Sequence, residues 1–304
     1  MGLQTPFGHF LGYDPVRARQ AKALLRAGPH FRVTSLAPDH LPDAISLTSD
    51  RRRPLEQGQA GTCWVHAPTQ LTEFTMIRGG YNDFDVCRRL IGYYGKQLEG
   101  GGNPSNGGSG IDALAAMTGD KGKGIAHESL CPYTDNAGIL GQRPPQNVLD
   151  DASKSHLTDP VDVSGLDETM TMIASAKTPV CVGIWWTYSW DQQEAIHTTI
   201  GPGEYGHELL VCGYAKPGVL NSEQCWQLDN WHGRGLYPTL TSDQAAKIVG
   251  YKPISPSATS DFWVTDSIFN AVINKGNAEF SSAADIQGLA GGNFYPVNGQ
   301  PPLV

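Results

Sequence analysis

The apolar residues of this chain follow two different periods, and the change falls near residue 155. From residue 63 onwards, apolar side chains recur at spacings of three and four, which predicts a helix. Further helix candidates in the first half are residues 15–27, 87–98 and 111–117. In the second half, residues 179–186 and the apolar run after His207 are typical of buried strands. The pattern therefore predicts a mainly helical part followed by a β-rich part.

The helix predicted at residue 63 begins with a cysteine. In the run QGQAGTCW (residues 57–64), Thr62 is a good N-cap, which places Cys63 in the first helical turn. The positive end of the helix dipole favours a thiolate, and the amides of this turn would stabilise an oxyanion. Gln57 would bring a side-chain amide to the same oxygen. A cysteine nucleophile for acyl transfer needs these groups, although a cysteine in a helix is more often only a buried apolar residue.

A base for this thiol is expected downstream. His207 opens the apolar run HELLVCGY and follows Cys63 by 144 residues (207 − 63). This separation fits the distance of about 130–150 residues between Cys and His in papain-type peptidases. The block WQLDNWHG (residues 226–233) then supplies a third polar group that can orient the imidazole.

At this point the chain resembles the papain-like cysteine peptidases. QGQAGTCW is similar to their QGQCGSCW, HELLVCGY to their HAVLVVGY, and WQLDNWHG to their WxxxNSWG. The runs SNGG (residues 105–108) and CPY (residues 131–133) resemble their CNGG and YPY. The resemblance covers roughly residues 40–240, with the blocks in the order of the family.

The resemblance implies an α+β, two-lobed fold with the active-site cleft between the lobes. A helical lobe would hold the central helix that starts at the catalytic cysteine, and the other lobe would be β-barrel-like. We expect residues 1–39 to form an N-terminal arm or short pro-segment, 40–155 the helical lobe and 156–240 the β-rich lobe. Residues 241–304 would be a C-terminal extension with a Gly/Pro-rich tail.

The same resemblance assigns roles to individual residues. The expected catalytic groups are Cys63 as nucleophile, His207 as base, Asn230 as the residue that orients the imidazole, and Gln57 in the oxyanion hole. The expected substrate-binding residues are Trp64, Gly107, Gly108 and Gly183. A shift of one residue in the last block would put Asp229 in place of Asn230, and this alternative stays open.

The chain also departs from the family pattern. Ala60 and Ser105 stand where the family carries two bridged cysteines, so that disulfide is missing as a unit. Glu208 replaces a small residue beside the histidine, and Pro68 would kink an unbroken helix. None of these changes removes the nucleophile, the base or the oxyanion glutamine.

The composition limits the kinds of partner and cofactor that this chain is expected to bind. The 304 residues include 36 glycines and 21 prolines, which indicates much loop and β-structure, and the net charge of −8 argues against nucleic acid as a partner. No apolar run approaches the roughly 20 residues of a membrane helix, so we expect no membrane partner. The six cysteines show no metal-binding spacing, and we expect no metal and no cofactor. With no signal sequence and the family disulfide positions replaced, a cytoplasmic or other intracellular location is expected.

The predicted function is that of a papain-like cysteine peptidase acting on a peptide or protein substrate. Two alternatives remain from the residues. One is a catalytically inert papain-fold component, for example of a virion or a secretion assembly. The other is different thiol acyl-transfer chemistry, of the amidase or deubiquitinase-like kind. The C-terminal extension would offer a docking segment for a protein partner.

Overall fold

The computed structural model describes residues 3–4, 10–27, 31–32, 35–81, 83–119, 122–158, 160–191, 194–201, 205–231, 237–255, 259–276, 278–283 and 286–287. Within these residues the α-helices are α1 (Pro15–Ala27), α2 (Cys63–Arg78), α3 (Arg88–Leu98), α4 (Gly110–Ala116), α5 (Ala137–Leu140), α6 (Gln146–Ala152), α7 (Leu166–Thr171), α8 (Ser242–Ala245) and α9 (Asp266–Gly276). Short 3-10 turns are Pro38–His40, Thr48–Asp50, Glu128–Leu130 and Tyr188–Asp191, and a π-helical turn, Met172–Ala176, follows α7. The strands are β1 (Leu3–Gln4), β2 (Phe10–Leu11), β3 (Phe31–Arg32), β4 (Ala44–Ser46), β5 (His156–Leu157), β6 (Pro160–Val163), β7 (Val180–Trp186), β8 (Ile196–His197), β9 (Tyr205–Ala215), β10 (Cys225–Asp229), β11 (Asp261–Thr265), β12 (Glu279–Ala283) and β13 (Ile286–Gln287).

A mixed sheet is built mainly from the second half of the chain, with β3 and β4 added from the first half. Its strand order is β3-β6-β12-β7-β9-β10-β11-β8, and β4 adds to β9 from the first half. Most pairs are antiparallel, and the two edge strands β3 and β8 pair in parallel with their neighbours. In the described part of the chain these short edges do not pair with each other. The sheet is therefore open, which corrects the expected β-barrel-like lobe.

Helix α2 is the central element of the first half. Every residue from Cys63 to Met76 is buried, because the helix packs against β9 on one side and against α3 and α4 on the other. Such a helix needs no polar face. It continues through Pro68 to Arg78, although Pro68 has no amide hydrogen to donate. The packing on both sides stabilises this helix beyond its local propensity.

The segment after residue 240 belongs to the sheet. β11 pairs with β10 over five residue pairs, and β12 lies between β6 and β7. Residues 261–276 and 278–283 therefore contribute to the sheet and its core, whereas residues 241–304 were expected to form a C-terminal extension. The Gly/Pro-rich run of residues 291–304 and His232 lie outside the described residues. None of the helices in the described ranges combines the length and apolar character that a membrane crossing requires.

Candidate active site

Cys63 is the first residue of α2 and is fully buried. Thr62 occupies the N-cap position, but its side chain does not cap the helix. Instead its hydroxyl bonds the Tyr133 hydroxyl at 2.6 Å, and that hydroxyl donates to the Gln57 carbonyl at 2.8 Å. Tyr133 thus ties the start of α2 to the loop that carries Gln57. The CPY block that contains Tyr133 was identified from the sequence, but its local pattern did not indicate that Tyr133 joins these two segments.

Three backbone amides point to the Cys63 sulfur, those of Glu208, Gly12 and Trp64. Burial raises the pKa of the Cys63 thiol to about 12, and the nearby Glu208 carboxyl raises it further, while the three amides oppose both effects. The thiol therefore keeps its proton in this structure. This differs from the lowered pKa expected at a helix N-terminus, because the loss of water outweighs the helix dipole.

His207 lies on β9, directly before Glu208. Its Nε2 donates to Asn230 Oδ1 at 2.8 Å, and Asn230 Nδ2 donates to the Tyr237 hydroxyl at 3.1 Å. The Trp231 amide also donates to Asn230 Oδ1, at 2.8 Å. The Trp186 ring meets the imidazole edge-on, with 4.9 Å between centroids. These contacts fix the orientation of the imidazole ring.

Asp229, the alternative third residue, faces the other side of its strand. Its Oδ1 accepts hydrogen bonds from Arg51 at 3.0 Å and from the Ser260 hydroxyl at 2.6 Å. Successive side chains of a strand point to opposite faces, so Asp229 and Asn230 diverge. Of the two candidates, Asn230 is the one whose side chain contacts the imidazole.

Gln57 is buried and held on both sides by backbone bonds. Its amide donates to the Trp231 carbonyl at 3.0 Å, and its carbonyl accepts the Tyr133 hydroxyl at 2.8 Å. The side-chain Nε2 donates to the Ala60 carbonyl at 3.1 Å. The loops of the missing disulfide are joined nearby by a hydrogen bond of 3.2 Å from the Gly61 amide to the Ser105 carbonyl.

A second buried histidine supports this loop. His66 Nδ1 lies 2.8 Å from the Thr62 carbonyl, and its Nε2 lies 3.1 Å from the Glu56 carbonyl and 3.2 Å from an Arg88 nitrogen. Burial lowers the pKa of His66 to about 3, and the Arg88 charge lowers it further, so the ring is neutral. His66 therefore has a structural role. No spacing in the sequence distinguished it.

The N-terminal arm (residues 10–27) covers the cleft. The Gly108 amide donates to the Gly12 carbonyl at 2.7 Å, and the Asp14 amide donates to the Gly108 carbonyl at 2.8 Å. On the opposite wall the Tyr13 amide donates to the Gly206 carbonyl at 3.2 Å. A Cβ on Gly12 would lie only 1.8 Å from the Gly61 oxygen, so only glycine permits this approach.

The helix of the arm adds charge pairs to these backbone contacts. Arg17 Nε and a terminal nitrogen donate to both oxygens of Asp112, at 2.7 and 2.8 Å. Lys22 Nζ lies 3.3 Å from Asp162 and 3.5 Å from Glu279. Asp112 and Asp162 are buried, so the arm supplies cations to carboxylates that it also covers.

Three of the four predicted substrate-binding residues contact the arm. A Cβ on Gly107 would lie 2.4 Å from the Gly12 oxygen, and one on Gly183 would lie 2.2 Å from the Tyr13 ring. Gly108 pairs with the arm through its backbone. Trp64 is different, because it is fully buried beneath Gly108 and donates from Nε1 to the Pro104 carbonyl at 3.1 Å. Trp64 therefore supports the wall of the cleft from behind.

The cysteines and acidic groups show no metal centre in the described part of the chain. There, no group of three or more His, Cys, Asp or Glu side chains is placed to hold a metal ion. All six cysteines are described, and each is a buried free thiol.

Solved structures of cysteine proteases are similar to this fold. Xylellain, a cysteine protease from Xylella fastidiosa, matches with a TM-score of 0.67 and 18% identity, covering 94% of this chain and 98% of its own. The Amb a 11 cysteine protease of ragweed, in its proform, matches with a TM-score of 0.56 and 18% identity over 80% of this chain and 65% of its own. Digestive procathepsin L 3 from the larval midgut of Tenebrio molitor gives a TM-score of 0.60 and 15% identity over 86% of this chain and 78% of its own. A scan against protein-family models and a search of curated proteins each give no match.

The expected α+β, two-lobed architecture is confirmed by these matches. Sequence identities this low are evidence for a shared fold only, and the chemistry depends on the residues of the site. The chain therefore has the fold of the papain-like cysteine proteases and is a divergent example of it, at 15–18% identity to the structures named above.

Proposed function

We propose that this protein is a cysteine peptidase in which Cys63 and His207 hydrolyse peptide bonds. One observation carries the proposal. The His207 ring is oriented by Asn230 at 2.8 Å, and the amide of the next residue, Glu208, points to the Cys63 sulfur. Nucleophile and base therefore belong to neighbouring positions of one site, with an orienting group behind the base.

The chemistry uses groups of this chain and one water molecule. His207 Nδ1 takes the thiol proton, and the Cys63 sulfur forms a bond to the peptide carbonyl carbon. The amide of Cys63 and the side chain of Gln57 stabilise the oxyanion. His207 then gives its proton to the leaving amine as the C–N bond breaks. Water, deprotonated by His207, attacks the thioester, the C–S bond breaks, and the thiol recovers its proton.

The N-terminal arm acts in this proposal as a mask that substrate or processing has to displace. It offers the sulfur the Gly12 amide hydrogen, while the Gly12 carbonyl is bound by Gly108. The Gly12 carbonyl is thus engaged by the cleft wall, and the group that Gly12 turns to the sulfur is an amide, which is consistent with a segment that persists in its own active site. The similar ragweed and Tenebrio structures are proforms, which supports a covering role for an N-terminal segment.

A second candidate, the catalytically inert papain fold, has an observation in its favour. The cleft is filled by residues 12–14, and the pKa of the Cys63 thiol is raised to about 12 by burial, which also describes a site that never reacts. Masked and inert sites differ in what happens once the arm is displaced.

The decisive experiment displaces the arm by one substitution. Gly12→Val puts a side chain where a Cβ alone would lie 1.8 Å from the Gly61 oxygen, so the arm can no longer seat. We expect this variant to take up one epoxysuccinyl inhibitor on Cys63, seen by intact mass and peptide mapping, and to hydrolyse denatured protein. Cys63→Ala in the same background should do neither. Stoichiometric labelling without hydrolysis would favour the inert alternative. Transfer to an added amine in place of hydrolysis would favour other acyl chemistry.

A further inference from the structure

Three residues lie in a row across the sheet beside the cleft. Gly183 on β7 pairs with Glu279 on β12 and with Glu208 on β9. Residues paired across neighbouring strands project from the same face of a sheet. The glycine in the middle therefore leaves a gap between two carboxylate side chains.

The Tyr13 ring of the arm fills this gap. A Cβ on Gly183 would lie 2.2 Å from Cε2 and Cζ of the ring, and a Cβ on Gly206 would lie 3.0 Å from Cδ1. Both positions have to be glycine for the ring to enter. We call the space bounded by Gly183, Gly206, Glu208 and Glu279 the Tyr13 pocket. Its two glycines give it the shape of a slot that accepts a planar group.

The tyrosine fits this slot in shape but not in polarity. Its side chain is buried at 7% exposure, and its hydroxyl has no hydrogen-bond partner among the described residues. An unsatisfied buried hydroxyl is unfavourable. The pKa of the Tyr13 hydroxyl is raised by burial, and the charges of the Glu208 and Glu279 carboxyls raise it further. The ring therefore closes the pocket without using its acidic groups.

One of the two carboxylates, that of Glu279, already lies beside a cation. Lys22 of the same arm places Nζ 3.5 Å from Glu279 and 3.3 Å from Asp162. When the arm leaves, Glu279 loses this ammonium, and the ring vacates the space over Gly183, which pairs with Glu208. Two carboxylates then flank an open slot, and carboxylates in a narrow cleft concentrate negative potential. Burial holds the pKa of Glu208 above its usual range, and an incoming cation would lower it again.

We propose that, in the peptidase function proposed above, the Tyr13 pocket selects a basic substrate side chain, with arginine preferred over lysine. Arginine is preferred because its guanidinium is planar like the ring that it replaces and can bond a carboxylate through two nitrogens. Glu208 is the specificity-determining residue on one side of the pocket, and Glu279 adds a second carboxyl group on the other side, across β7. The Glu208 side chain is anchored for this role by the Gly110 amide, which donates to Oε2 at 3.0 Å.

The first test needs no peptidase activity. In the full-length chain, Tyr13→Arg, Tyr13→Phe and Tyr13→Leu change only the group in the pocket, and alkylation of Cys63 by iodoacetamide reports how often the arm opens. We expect Tyr13→Arg to react no faster than wild type and Tyr13→Leu at least fivefold faster. Adding Glu208→Gln to Tyr13→Arg should restore fast alkylation, whereas Glu223→Gln, an exposed acid-to-amide control, should not. Tyr13→Arg reacting faster than Tyr13→Leu would overturn the proposal.

The second test uses turnover by the Gly12→Val variant. The probes are acetyl-X-Gly-aminomethylcoumarin peptides with X as Arg, Lys, Phe, Tyr or Leu. We expect kcat/KM for Arg to exceed that for Phe and Leu at least tenfold, and Glu208→Gln to reduce the Arg:Phe ratio at least tenfold. Equal rates, or a preference for Phe and Tyr, would overturn the proposal. Loss of hydrolysis for every peptide, with the alkylation ranking intact, would overturn the peptidase function and support the selectivity of the pocket.

Discussion

On the imidazole side of the cleft, His207 is held by side chains from its own lobe: Asn230 bonds its Nε2, and Trp186 packs against the ring. On the thiol side, Cys63 is covered by Gly12, which comes from the far end of the chain. The contacts of His207 are part of the core. The cover over Cys63, in contrast, depends on a segment that is held by backbone hydrogen bonds and a few charge pairs. The imidazole is thus held in place by the core, whereas the thiol is covered by the arm in this structure.

Displacing the arm should change thiol reactivity more than any other single substitution. In Gly12→Val, water reaches Cys63, and its pKa falls from about 12 towards the ordinary value of 9.0. The thiolate fraction near pH 8 then rises by a factor of about a thousand, and iodoacetamide alkylation should accelerate by at least about a hundredfold. Val16→Ala, on the exposed part of the arm, is the control. Equal alkylation rates in Gly12→Val and wild type would mean that the arm does not limit access.

Loosening the imidazole should have the next largest effect, and it should appear only in turnover. Asn230→Ala in the Gly12→Val background removes the acceptor for His207 Nε2, so the ring loses its orientation. We expect kcat/KM to fall by about ten- to a hundredfold. Tyr237→Phe removes only the hydroxyl that Asn230 contacts and should cost a few-fold. A larger loss for Tyr237→Phe than for Asn230→Ala would contradict this ranking.

The buried carboxyl group of Glu208 predicts that the free energy of unfolding depends on pH. Burial raises the pKa of Glu208 well above its ordinary value of 4.5, so the folded chain keeps a proton that the unfolded chain releases. Stability should therefore decrease as the pH rises above 4.5, by about 1.4 kcal/mol per pH unit from this group. Denaturant unfolding of Glu208→Gln should lack this decrease. Below pH 4.5 the two curves should run parallel, and parallel curves above it as well would refute the assignment.

The charge pairs of the arm should make the smallest contribution. Arg17 is partly exposed and bonds Asp112, and such a pair is worth about 0.5–1 kcal/mol. Arg17→Gln should therefore increase Cys63 alkylation by about two- to fivefold, and about 1 M salt should reduce the difference. Arg19→Gln makes the same charge change at an exposed position of the same helix and should have less effect. Equal effects of the two substitutions would show that net charge, not the Asp112 pair, holds the arm.

Local patterns were sufficient to place Cys63 at the start of a helix and His207 on a buried strand. Cys63 follows a glycine-rich turn and opens a helix, and His207 opens a buried strand, so spacing and periodicity indicate both. The choice between Asn230 and Asp229 was a question of register, and strand alternation decides it only when β10 is paired in the sheet. Trp64 shows the limit of local patterns. Its position beside Cys63 suggested a substrate-binding residue in the cleft, but its ring packs beneath Gly108, behind the wall of the cleft.

The sequence by itself determined the α+β class and the order of the blocks. These features follow from the periodicity and the residue types within short stretches of the chain. Only the tertiary structure decided that β12 lies between β6 and β7, that residues 12–14 cover Cys63, and that the thiol keeps its proton. Strand pairing, desolvation and charge contacts depend on segments far apart in the chain, and no local pattern in Gly12 or Tyr13 indicates where those residues will lie.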